Sequence, residues 1–156
     1  MAGELLDLPT ILDELVEALA DLDDFAEVEG SVTPGWYESP PGDAPFACVS
    51  VPDVSNEGGG ARADLWERTA TFHVRAWRAY ETDTQAARTR AALELADDLL
   101  AAIEDRYAES EQLCEADDIL VRTVMPGQVA AEAAADFVHC ELTVEVRYRR
   151  HTGRGV

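Results

Sequence analysis

Residues 137–150 read FVHCELTVEVRYRR. From Val138 onward the apolar Val138, Cys140, Leu142, Val144, Val146 and Tyr148 alternate with His139, Glu141, Thr143, Glu145, Arg147 and Arg149. A period of two is that of a β-strand with one face on a core and the other toward water, the signature of an antiparallel sheet. Upstream, ERTATFHVRAWRAY at 67–80 has the same period, with Ala70, Phe72, Val74 and Ala76 on one face and Thr71, His73, Arg75 and Trp77 on the other. Shorter strands are expected at FACVSV, 46–51, and at ILVRTV, 119–124, the latter closed by Met125-Pro126-Gly127.

A one-faced sheet needs a covering layer, and two amphipathic segments supply it. In LPTILDELVEALADL, 8–22, the spacing of Leu12, Leu15, Val16, Leu19 and Leu22 predicts a helix, with Asp7 as N-cap and Pro9 tolerated in the first turn. A second helix over 86–107 opens at Thr84 and turns Ala91, Leu95, Leu99, Ala102 and Ile103 one way. The expected fold is α+β, a single domain over 1–150, with a mainly antiparallel sheet of about four strands on two helices. Residues 151–156 are expected to form a flexible tail. The Gly- and Pro-rich stretch 30–45 reads as loop or irregular edge, with a short strand inside Val32–Tyr37. A glycine-rich hairpin should extend around Gly58-Gly59-Gly60.

The chain has 156 residues and a mass of 17.0 kDa, a size suited to one core. Hydrophobic residues make up 47% and charged residues 28%. Thirty-two acidic residues against 12 basic ones give a formal charge of -20. All 12 basic residues are arginine, and the first 61 residues carry 14 acids and no base at all. Such a field repels nucleic-acid phosphates and anionic lipid, so general duplex binding is disfavoured. Acid enrichment without lysine fits a salt-adapted, haloarchaeal-type origin better than an ordinary GC-rich bacterial one.

Catalytic and metal motifs are thin. Cys48, Cys114 and Cys140 lie 66 and 26 residues apart, with no C-x-x-C, so neither a zinc knuckle nor a disulfide scaffold is read. The Gly58–Gly60 run lacks the spacing and the Lys-Ser/Thr of a phosphate loop. If the strands holding His73 and His139 are neighbours, a His-His-Glu cluster with Glu141 is sterically allowed; cross-strand neighbours stand about 5 Å apart. Paired acids such as Asp97-Asp98 are adjacent rather than facing, and no serine sits in a nucleophile elbow. The chain therefore reads as a non-enzyme without a cofactor. No apolar run is long enough to span a bilayer, and MAGELLDLP lacks the basic flank of a signal peptide.

What remains is surface. Arg147, Arg149, Arg150 and Arg154 crowd the last ten positions with no acid, and set against an acidic body they form a natural tie to a neighbouring copy or partner. Trp36, Tyr37 and Trp66 stand beside the Gly- and Pro-rich segments, where aromatics serve equally as loop anchors and as interface hot spots.

The run LPTILDELVEAL, then PFACVSV, ERTATFHVRAW, AARTRAALELADDLLAAIEDRY, DILVRTVMPG and FVHCELTVEVRYRR resembles the tail-terminator and tail-completion proteins of long-tailed viruses of bacteria and archaea, over roughly residues 8–150. The resemblance implies a virion structural protein assembled in the host cytoplasm. It would form a ring, typically a hexamer, at the head-proximal end of the tail tube. Its partners would be further copies of itself, the tube protein and a head-side connector or stopper, with DNA only passing through the lumen. It also implies that the 55–64 hairpin, with Gly58, Gly59 and Gly60, and the Arg-rich end are ring- or tube-contact elements. A head–tail stopper or adaptor is the nearest alternative, and a monomeric cellular binding module the next.

Overall fold

The computed structural model describes residues 6–42, 45–57, 65–79, 84–128 and 137–151. Two long strands dominate it, β4 (Leu65–Ala79) and β6 (Phe137–His151), 15 residues each and antiparallel, paired from Leu65↔His151 to Ala79↔Phe137. At about 3.4 Å per residue they run some 50 Å side by side. Around them lie β1 (Val32–Pro34), β2 (Phe46–Val49), β3 (Asp53–Glu57) and β5 (Asp118–Gln128) in the order β1-β2-β4-β6-β5, with β3 also on β4.

The α+β class and single domain hold, and the sheet is larger than the four strands expected. It has six and is mixed, because Val32–Pro34 pairs parallel to Ala47–Val49 at one edge. Part of 30–45 thus becomes an edge strand. β5 does not stop before Met125-Pro126-Gly127 but runs through them to Gln128. An edge strand needs a backbone donor only on its paired side, so a proline whose ring faces away from the ladder fits there. His151 is paired in β6 rather than in a tail; 152–156 lie outside the described residues.

Helix α1 (Leu8–Ala20) is capped as its sequence predicts, the Asp7 carboxylate accepting from the Thr10 N–H at 2.8 Å. A single turn, α2 (Asp23–Ala26), follows, and the long helix is α3 (Gln85–Glu109), N-capped by Thr84. A 3₁₀ turn, Leu113–Glu115, leads into β5. α1 lies on β1 and β2, α3 lies on β5 and β6, and the two helices touch. Between them and the sheet sit Ile11, Leu15, Leu19, Leu95, Leu99, Ile103, Phe72, Val74, Leu142 and Val144, each no more than 2% exposed. Ala91, Ala92 and Ala96, buried on α3, are small enough to let that helix approach the strands.

Two irregularities set which residues face this core. In β5 the register slips between Val121 and Thr123, leaving Arg122 as an extra residue. The slip keeps Ile119 and Val121 before it and Val124 after it on the helix side. Between β2 and β3, residues 50–52 stand opposite only 72 and 73 of β4, again one extra. Ser50 holds that bulge, its N–H donating to the His73 carbonyl and its Oγ accepting the His73 N–H, both at 2.9 Å. The extra residue pushes Val51 into solvent, 82% exposed.

The acidic first third takes its counter-ions from far along the chain. Arg106 of α3 donates from Nε to Glu14 at 2.6 Å and also binds Glu17. Arg78 of β4 binds Asp24 and donates to Asp98 at 2.7 Å. Glu14 is only 8% exposed, and Glu14 foremost, against the cost of burial, raises the Arg106 pKa. These pairs tie α1 and α2 to the helix and strand they pack on.

Phe72 sits at the centre of this core. Phe72→Ala is expected to cost about 3–5 kcal/mol in urea unfolding; a loss under 1 kcal/mol would mean that the helices do not pack as described.

Candidate functional site

Odd-numbered residues of β4 and β6 face away from the helices, and the register sets them in rows across the sheet. The row Phe46, Trp77, His139, Gly127 gives way to Cys48, Arg75, Glu141, Met125. Beyond come His73, Thr143 and Thr123, then Thr71 and Glu145, then Thr69, Arg147 and Asp118. One end is apolar and aromatic, the middle carries threonines, and the far end is charged.

The apolar end is a second small core. Phe46, Cys48, Trp77 and Phe137 are at most 5% exposed, although Trp77 and Phe137 occupy polar-face positions of their strands. They are covered by the chain after β1, which Gly35 turns back across the sheet at a φ of +125° that side-chain-bearing residues rarely adopt. The Gly35 N–H donates to the Val49 carbonyl at 2.8 Å. Tyr37 then meets Phe46 edge-on, with centroids 4.9 Å apart, and Trp36 meets His73 edge-on at 6.2 Å.

Arg75 fastens this strap. Its Cζ lies 4.3 Å from the Trp36 ring centroid and 5.8 Å from that of Trp77. Its Nη1 donates to the Tyr37 carbonyl at 2.8 Å, and its Nε to Glu141 Oε1 at 2.6 Å. With the Arg75 side chain only 14% exposed, these charge-assisted bonds work in a poorly screened setting. His139 stacks at a tilt on Trp77, 5.4 Å between centroids, and its Nε2 is 3.8 Å from Glu141. Burial holds the His139 pKa below its ordinary value, more than Glu141 raises it, so the ring is neutral near pH 7.

The residues singled out in the sequence therefore separate. Trp36 and Tyr37 are loop anchors, yet 43% and 37% exposed. Trp66 is partly buried and falls on the helix side of the hairpin, in register with Arg150, so it does not join them. Arg147 and Arg149 lie on the helix-free face, half exposed, and both are engaged within the chain: Arg149 donates to Asp117 at 2.7 Å, and Glu145 accepts from Arg147 at 3.3 Å and Arg122 at 3.2 Å. These arginines, with Arg122 foremost, hold the Glu145 pKa below the usual carboxylate range. β3 and β4 pair antiparallel from Asp53↔Thr71 to Glu57↔Glu67; the glycine-rich connection expected between them, with Gly58, Gly59 and Gly60, lies outside the described residues, as do Arg154 and the side chain of Arg150.

The His-His-Glu cluster does not form. His73 is opposite Thr143 and His139 opposite Trp77, and the Arg75–Glu141 pair occupies the row between them. Among the described residues no group of three His, Cys, Asp or Glu side chains is placed to hold a metal. No helix among them is long and apolar enough to cross a membrane. No protein-family model matches the sequence, and no curated protein matches it.

Arg75 and Trp77 are the residues of this face whose partners alternation alone passes over. The signal was present as three aromatics, Phe46, Trp77 and Phe137, out of phase with the helix-facing residues. Two outcomes follow from this face. Arg75→Ala is expected to cost about 1–3 kcal/mol and to shift tryptophan emission to the red as Trp36 loses its cover; unchanged emission and stability would remove Arg75 as the fastener. Burial pushes the Cys48 thiol up and the Cys140 thiol to about 11, while Cys114 is exposed. Thiol titration of the native protein should find a single fast-reacting cysteine, abolished by Cys114→Ser; rapid reaction of a second would contradict the burial of Cys48 or Cys140, and of all three the burial of both.

Proposed function

We propose that this chain is a non-enzymatic structural subunit of a tailed-virus particle, of the tail-terminator type. Copies assemble into a ring, on the resembled pattern a hexamer, at the head-proximal end of the tail tube. The ring meets the tube protein on one side and a head connector or stopper on the other. The observation that carries this reading is the one-sided sheet. Helices cover one face, while the other presents Trp36, Met125, Arg122, Arg147 and Arg149 to the outside on a frame made rigid by two full-length strands.

Such a subunit needs no convergent acid–base pair; it needs wide, stiff faces that repeat. In a closed ring each modest contact is made by every copy, and loss of any one copy breaks two contacts. The formal charge of -20 gives the lumen a sign that holds DNA weakly and lets it pass. The β3–β4 hairpin and the arginines of β6 are the contact elements in this reading.

Negative-stain electron microscopy of the gel-filtered protein tests it, in about 1 M KCl, where the Debye length is near 3 Å, and again at low salt. Rings with a central hole are expected. Monomers at both salts that also fail to bind an isolated tail tube would overturn the reading in favour of a monomeric module. Capture of a portal-side adaptor instead of the tube would make the chain a stopper.

A further inference from the structure

The two lateral ends of the sheet differ in charge. At the β1 end, α1, α2 and the segment entering β1 expose Asp13, Asp23, Glu27 and Glu29, with Glu17 and Asp21 at 62% and 78%. This end is built wholly from the part of the chain that has no basic residue. The two arginines reaching it, Arg78 and Arg106, are 18% and 25% exposed and already shared, Arg78 between Asp24 and Asp98, Arg106 among Glu14, Glu17 and Asp21. They cannot neutralise the outward acids Glu27 and Glu29 as well.

At the opposite end, beside β5, the helix-free face carries Arg122, Arg147 and Arg149 at 51%, 50% and 52% exposure. Arg122 and Arg147 both draw on Glu145, which is only 17% exposed. One carboxylate serving two guanidiniums leaves donors of both turned to solvent, since each guanidinium has five. Met125, 52% exposed on the same strand, lies beside Trp36 over a depression of about 50 Å³ and adds an apolar element.

The geometry points to a head-to-tail interface between copies of this chain, in which the Arg122–Arg147–Arg149 end of one copy docks on the Glu27–Glu29 end of the next. The occupant follows from charge complementarity. The chain's own first third is the acidic surface those arginines fit, and two unlike patches at opposite sides of the domain make a contact that repeats from copy to copy, closing into a ring when the rotation between copies divides a full turn. Duplex DNA is the other ligand that arginines take, and Asp117, Asp118 and Glu145 beside them, with the formal charge of -20, oppose so dense a line of phosphates. This inference rests on the ring reading and deepens it by naming the surfaces.

A charge exchange tests it, at about 0.15 M salt, where the Debye length is about 8 Å. The Arg122→Glu/Arg147→Glu and Glu27→Arg/Glu29→Arg double variants are made separately. Each is expected to associate at least about tenfold more weakly than the parent in sedimentation, because like charges then meet. An equal mixture is expected to recover assembly in alternating order. Thermal melts of each variant check folding, and the Glu27/Glu29 pair, which lies at the surface, keeps the test open if the arginine variant melts early. Parent rings with variants that assemble undiminished would overturn the interface and leave the ring reading standing. A parent that never associates, alone or on a tube, overturns both. Variants that fail singly and are not rescued by mixing overturn the pairing of these two ends. Loss of oligonucleotide binding by the arginine variant with assembly intact would assign the arginines to nucleic acid instead.

Discussion

The pairing of β4 with β6 is the constraint on which every other placement depends. Once Leu65 to Ala79 is locked against His151 to Phe137, the pleat fixes which side chain stands on which face for both strands together. A slip of one residue would send either Phe72 and Val74 to solvent with Arg75 brought under the helices, or Leu142 and Val144 to solvent with Glu141 brought under them. The second face makes that slip costlier still. Trp77 and Phe137 are buried there, and the Arg75–Glu141 pair sits directly across the same ladder. The two faces thus specify one register by independent means, one through aliphatic burial and the other through an ion pair and stacked rings.

A second constraint is electrostatic. An N-terminal third with many carboxylates and no cation cannot compact on itself without cost, since like charges on α1 and α2 repel. Arg75, Arg78 and Arg106 each reach it from β4 or α3. Glu14, Glu17, Asp24 and Glu38 therefore find their counter-ions only when the domain is complete, which couples the early helix to strands formed much later in the sequence. Pairs of this kind contribute little where exposed and more where one partner is buried, as Glu14 is.

How much of this was legible in the sequence depends on range. Alternation in 67–80 and 137–150, the stripe of Leu12 to Leu22, the Asp7 cap and the Thr84 start are local signals, and each element stands where they place it. Edge pairing was not local. Val32–Pro34 is a strand only because β2 lies beside it, and Pro126 is tolerated only because its strand has no outer neighbour. The helix-free face was misjudged for a related reason. Reading His73 and His139 as one polar face left out the register, which puts Arg75 and Glu141 in the row between them. Reading Trp36 as a loop aromatic left out Arg75, 39 positions later, whose guanidinium lies over its ring.

The bulge at Ser50–Pro52 has a consequence for how the chain can change over generations. Before it, β2 contributes Ala47 and Val49 to the helix-side core; after it, Asp53, Val54, Ser55 and Asn56 of β3 are all exposed, Val54 at 41%. The break in phase therefore frees β3 from the packing of the body, while β4 beside it stays locked by Ala70 and by its ladder to β6. Side chains of β3 beyond Asp53 can therefore change without moving any core side chain, so this outer edge is free to vary in shape and charge while the domain that carries it stays the same.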